Sequence, residues 1–171
     1  MNEIVVRPAG FADCERMALV AGATFLETFT GVIDGHALLE HCRAQHSVSA
    51  YDRLLRDGAR GWLAELDGAP VGYALSVEPD LEAARPGDVE LKRIYLLSRF
   101  HGGGAARDLL HAALADAGQR RLLLGVKADN ARAIAFYEKH GFSQVGTRQF
   151  DVGGRLYDDV VLARSPESIP T

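Results

Sequence analysis

His101-Gly102-Gly103-Gly104 is the stretch of this chain whose backbone could do chemistry, because glycines after a histidine leave consecutive N–H groups open to an anion or oxyanion. An ester hydrolase would use such a loop as an oxyanion hole, together with a serine on a Gly-x-Ser-x-Gly turn between strand and helix. The nearest match, Gly141-Phe142-Ser143-Gln144-Val145, lacks the last glycine and leads from a helix into a strand. Dinucleotide binding would need a glycine where Arg107 stands and an acid near Leu124, and a P-loop would need Gly-Lys-Ser/Thr; neither condition is met. Two readings remain, a phosphate cradle opening a helix or a plain tight turn, and the glycines alone do not separate them.

Metal and redox chemistry find less support. His36, His41 and His46 recur in steps of five, each a rotation of about 140° on a helix, so the three do not share a face. His111 and His140 have no partner at ligand spacing, and no metal is expected. Cys14 and Cys42 are too far apart for a zinc motif and read as reduced thiols. A net charge of −4 with scattered Lys and Arg gives no footprint for a nucleic-acid partner. No apolar run approaches the roughly 18 residues of a membrane span. The start MNEIVVRPAG lacks a signal-peptide pattern, so a cytoplasmic protein with no membrane role is expected.

The elements that must position the glycines follow from periodicity. EIVVRPA reads as a strand, and Asp13 would cap a helix to about Thr28 with Met17, Val20, Ala21 and Phe25 inward. A second helical stretch follows Asp34, with a break expected near HSVSAYD. Two strands flank an Asp67-Gly68 turn, a polar loop follows, and Val89 to Leu97 form the strand that feeds the glycines. Then come a helix to about Ala117, a buried strand RLLLGVKA, a helix from Asn130 to Gly141, and two strands closing on DVGGR. The expected fold is α/β: a mixed, mostly antiparallel sheet of about seven strands with helices on both faces, in the order β-α-α-β-β-β-α-β-α-β-β. One domain over residues 1–165 and a tail at 166–171 account for the length.

The segment His101 to Ala106, after a strand, resembles motif A of the GNAT superfamily of acyl-CoA N-acyltransferases, Gln/Arg-x-x-Gly-x-Gly/Ala. Gly104 and Ala106 match, His101 stands where Gln or Arg is usual, and Ser98 where proline is common. VKADNARAIAFYEKHGF, Val126 to Phe142, is similar to the family's motif B. The resemblance implies acetyl-CoA as cosubstrate, a bulged strand with exposed backbone at Ile94, Tyr95 and Leu96, and a pyrophosphate cradle at His101, Gly102, Gly103, Gly104, Ala105 and Ala106. Asn130 would join the cofactor contacts. Ile94 N–H would polarise the thioester carbonyl and Leu96 would bind pantetheine. Tyr137, two helical turns beyond Asn130, would be the general acid: a phenol of pKa about 10 is protonated at neutral pH and can serve a thiolate of about 8.5.

The resemblance also implies a small-molecule amine acceptor and is compatible with a homodimer. Glu90 reads either as a proton relay through water or as a solvated strand-end charge. TFLETF offers Phe25, Glu27 and Phe29 for the acceptor site, and with ELKRIYLL it is similar to the PaiA-type polyamine branch. An acidic loop of Glu78, Asp80, Glu82, Asp88 and Glu90 against Arg85 would suit a polycationic amine. The rival function is a CoA-binding regulatory module without turnover; acceptors at protein N-termini or on amino acids are further alternatives.

Overall fold

A computed structural model describes residues 2–166, so of the expected tail residues 167–171 lie outside the described region. The order is β1 (Val5–Ala9), α1 (Cys14–Phe29), α2 (Gly35–Gln45), α3 (Val48–Arg56), β2 (Arg60–Leu66), β3 (Ala69–Val77), β4 (Val89–Leu96), α4 (Ala105–Ala117), β5 (Leu122–Lys127), α5 (Ala131–Lys139), β6 (Ser143–Val152) and β7 (Arg155–Arg164). The second helical stretch is thus two helices. Ser47 makes the division by leaving the helical conformation and accepting the Ala50 N–H to start α3. Asp13 does not cap α1 with its side chain; its carboxylate instead takes Arg7 at 2.7 Å and the Gly10 N–H at 2.9 Å.

The seven strands lie in the order β1-β2-β3-β4-β5-β7-β6, antiparallel throughout except for β4 against β5. Leu109, Leu110, Ala113 and Ala117 of α4 pack on Leu122, Leu124 and Leu162 on one face. Met17, Val20 and Ala21 of α1 pack with Tyr51, Leu63, Tyr73 and Leu75 on the other. Helices on both faces leave the strand edges as the only places where the sheet can open. No helix among the described residues is long and apolar enough to cross a membrane.

The sheet opens in its middle. β4 and β5 pair only at Val89–Leu122 and Glu90–Leu123, although β5 keeps its pairing with β7 along its whole length. On its other side β4 follows β3, but the register slips where Leu75 faces Arg93 and Ser76 faces Leu91, leaving Lys92 unmatched. An extra residue on one strand bends it and raises its twist, so β4 swings away from β5 just beyond Glu90. The result is a wedge-shaped gap whose near wall is the C-terminal half of β4.

Candidate active site

Which backbone groups face the gap follows from the antiparallel alternation. Leu97 N–H donates to Val71 O at 2.9 Å, so Leu97, and with it Tyr95 and Arg93 in register with Tyr73 and Leu75, turn their amides to β3. Ile94 and Leu96 therefore turn theirs into the gap. Tyr95, also expected among the cofactor contacts, has its backbone paired with Tyr73 of β3, and its ring stacks on Tyr73, centroids 6.0 Å apart.

Beyond β4 a short turn at Ser98–Phe100 leads into the glycines. Gly102 and Gly104 have φ of +86° and +91°, a region that side chains disfavour, and the turn opens directly into α4. Among the described residues the N–H groups of Gly102, Gly103, Gly104, Ala105 and Ala106 meet no acceptor, and nothing lies within 4 Å of where a Gly102 side chain would begin. Unpaired amides at the start of a helix are groups that can accept an anion. His101 does not reach outward; its Nε2 bonds Leu96 O at 2.9 Å and ties the loop to the strand end. Glu27, expected at the acceptor site, accepts the Ser98 N–H at 2.8 Å and so fastens α1 to the same turn.

Across the gap, Asn130 caps α5 by accepting the Ala133 N–H at 3.1 Å, which leaves its NH2 group for a ligand. Tyr137 points from α5 into the core beside Phe136 and Phe142, 8% exposed, with no hydrogen-bond partner for its hydroxyl among the described residues. Burial pushes its pKa well above that of a free phenol, and the Tyr95 phenol adds to the shift. The hydroxyl therefore keeps its proton at neutral pH.

Glu90 is not a solvated strand-end charge. It is 3% exposed, accepts the Asp80 N–H at 3.3 Å and faces Arg148 Nη1 at 3.5 Å. Arg148 also holds Asp159 at 2.9 Å. It reaches from β6 over β7 and β5 to β4 because residue 125 is glycine: a Cβ there would stand 2.9 Å from the guanidinium carbon. The acidic loop is likewise partly used internally, since Asp88 is buried against Arg121 at 2.6 Å.

Phe25 and Phe29, expected to line the acceptor site, are 5% and 8% exposed and pack with Leu38, Val152 and Tyr157, joining α1 and α2 to the β6–β7 hairpin. Phe25 stacks on His41 at 4.3 Å, and His41 meets His46 at 5.4 Å. The two histidines come together, against the helical-wheel expectation, because His46 has already left the helical conformation at the end of α2. His111 and His140 also meet, at 5.7 Å, where α4 packs beside α5. Among the described residues no group of three potential ligands is arranged to hold a metal ion.

Sequence reasoning missed the polar wall on the α1 side of β4. Tyr51 OH accepts from Arg93 at 3.1 Å, lies 3.1 Å from His46 Nδ1 and 3.4 Å from Tyr73 OH. Burial, with Arg93 and His41 adding to it, pushes His46 down to about 3, so the ring is neutral at physiological pH. The inward alternation of β4 was the available signal, but the bulge at Lys92 shifts it by one residue.

The gap in the sheet and the turn of unpaired backbone amides thus lie at the same end of β4. The pattern of the Acetyltransferase (GNAT) family matches residues 25–142. An uncharacterized N-acetyltransferase of Mycobacterium tuberculosis is 37% identical over 156 residues, covering 89% of this chain and 97% of that protein. The PaiA N-acetyltransferase of Thermoplasma acidophilum, solved in complex with coenzyme A, shares the fold at a TM-score of 0.74 and 19% identity, over 95% of this chain and 99% of the other. The ribosomal-protein-alanine N-acetyltransferase of Brucella melitensis matches at 0.70 and 26% identity, over 94% and 99%. The chain belongs to the GNAT acetyltransferase family, and its activity is acyl-CoA-dependent N-acetyl transfer.

Proposed function

We propose that the protein transfers the acetyl group of acetyl-CoA directly to a primary amine in the gap between β4 and β5. The observation that carries this reading is the pair of backbone edges at Ile94 and Leu96, freed by the bulge and leading straight to the glycine cradle. The pyrophosphate binds the N–H groups of Gly102 to Ala106, where the α4 dipole favours negative charge. Pantetheine runs along Leu96, and the Asn130 NH2 group adds a contact from the far side. Ile94 N–H donates to the thioester carbonyl and stabilises the oxyanion as the amine attacks. The C–S bond then breaks and Tyr137 OH protonates the departing sulfur. Glu90, a buried carboxylate at the base of the gap, takes the amine's proton through water. The cradle is built on the α4 face, so the amine approaches from the α1 face.

Release of CoA thiol from acetyl-CoA in the presence of amines tests this, against no-amine controls. Amine-dependent release with a matching acetylated product is the expected result. CoA binding without release for any amine would favour a regulatory module instead.

The cradle itself is tested by Gly104→Val. A side chain at φ +91° costs about 1–3 kcal/mol in that backbone, and its Cβ would stand 2.9 Å from Arg107 Nη2. CoA affinity is expected to fall about tenfold or more by titration calorimetry. Unchanged affinity would show that the phosphates bind elsewhere.

A further inference from the structure

Arg93 lies on the amine side of β4, one residue before the Ile94 amide, and among the described residues its guanidinium has no carboxylate partner. It donates to Tyr51 OH at 3.1 Å and makes two long contacts with Gln45, 3.5 Å to the carbonyl and 3.4 Å to the side-chain oxygen. These neutral partners leave part of its five-donor fork unused. The residues around it, His41, His46, Tyr51, Tyr73 and Tyr95, are histidine and tyrosine, and the positive charge of Arg93 acts on all five. The other guanidinium on this face, Arg148, is already held between Glu90 and Asp159. The acceptor side of the gap therefore has an acid-rich wall at the base of β4 and a cationic wall without a counter-ion at Arg93.

We propose that Arg93 binds a carboxylate of the acceptor, so that the amine acetylated by this enzyme is one that carries an acid group. The inference rests on the acyl-transfer reading above and names its substrate class. Arg93 and Tyr95 project from the same face of one strand, roughly 7 Å apart, on either side of the Ile94 amide. A carboxylate held in the Arg93 fork leaves the nitrogen of a small amine within reach of a thioester bound at Ile94. A guanidinium matches a carboxylate with two parallel hydrogen bonds, which fixes orientation as well as charge. A polycation would instead be repelled here, and two of the five acids that favoured one, Asp88 and Glu90, are engaged with Arg121 and Arg148.

The test compares matched acceptors that differ only in the acid: alanine, alaninamide and ethylamine; phenylalanine, phenylalaninamide and phenethylamine; lysine, lysinamide and cadaverine. With wild-type enzyme, kcat/KM is expected to be about 10- to 100-fold higher for the acid than for its amide in at least one set, mostly through KM. Arg93→Gln removes that preference, and Arg93→Lys restores part of it. Equal or better turnover of the amides or diamines by wild-type enzyme overturns the inference, with no variant needed. Silence across all nine with CoA bound removes small acid-bearing amines as the acceptor class. Failure to bind CoA would instead overturn the acyl-transfer reading itself.

Discussion

Tyr137→Phe is expected to lower kcat by about 10²- to 10⁴-fold while leaving CoA affinity within about twofold, the range a positioned general acid supplies. The ring that packs on Phe136 and Phe142 is preserved, so the core keeps its volume and the variant loses only the hydroxyl. That hydroxyl has no hydrogen-bond partner among the described residues, and its removal strands no other polar group. The melting temperature should hold or rise slightly. Burial raises the tyrosine pKa, so ionisation of Tyr137 sets no alkaline limb near pH 10, where a solvent-exposed phenol would begin to fail. The pH dependence of kcat in wild type and variant checks both statements. A kcat within threefold of wild type would remove Tyr137 from proton transfer and leave the thiolate to be protonated by water.

Much of the local structure around the candidate site is legible in the sequence. The strand–glycine–helix order around Gly102 to Ala106 and the Asn130 start of α5 are local signals, set by residues within a turn of one another. The apolar stripes of α1 and α4 are local too, and Met17, Val20, Ala21, Leu109, Leu110 and Ala113 are all buried as their spacing requires. What could not be read is non-local. What surrounds Phe25, Phe29 and Glu27 depends on where the β6–β7 hairpin and the Ser98 turn arrive in space. That the Tyr95 amide turns to β3 depends on pairing with that strand, and the extra residue Lys92 leaves no mark in the sequence of β4 that a local reading could find. The meeting of Glu90, Arg148 and Asp159 joins residues 58 and 11 positions apart, through a glycine whose purpose appears only once β5 lies beneath the guanidinium.

That triad carries the second large effect. Arg148→Met is expected to destabilise the fold by about 3 kcal/mol, because it leaves two carboxylates buried without their cation. The Glu90 and Asp159 side chains are 4% and 6% exposed, so water cannot replace the lost partner; Arg148 itself is 31% exposed, which holds the effect at the low end of the range for a buried pair. For a chain of this size the melting temperature should fall by roughly 6–12 °C. Adding Asp159→Asn and Glu90→Gln to the same chain removes the stranded charges and should recover at least half of the loss. Recovery would show that the guanidinium serves charge compensation; no recovery would assign the loss to packing over Gly125. The position of the triad adds a functional consequence. Arg148 spans from β6 to β4 at the point where the last β4–β5 pairs, Val89–Leu122 and Glu90–Leu123, give way to the gap. Cutting that tie is expected to let the wedge widen from its base and to move Ile94 relative to Tyr137, the two groups that the proposed mechanism sets on the carbonyl and the sulfur of one thioester. At a temperature where Arg148→Met is still folded, kcat should therefore fall more than CoA affinity does, because displacements of about 1 Å cost catalysis far more than binding.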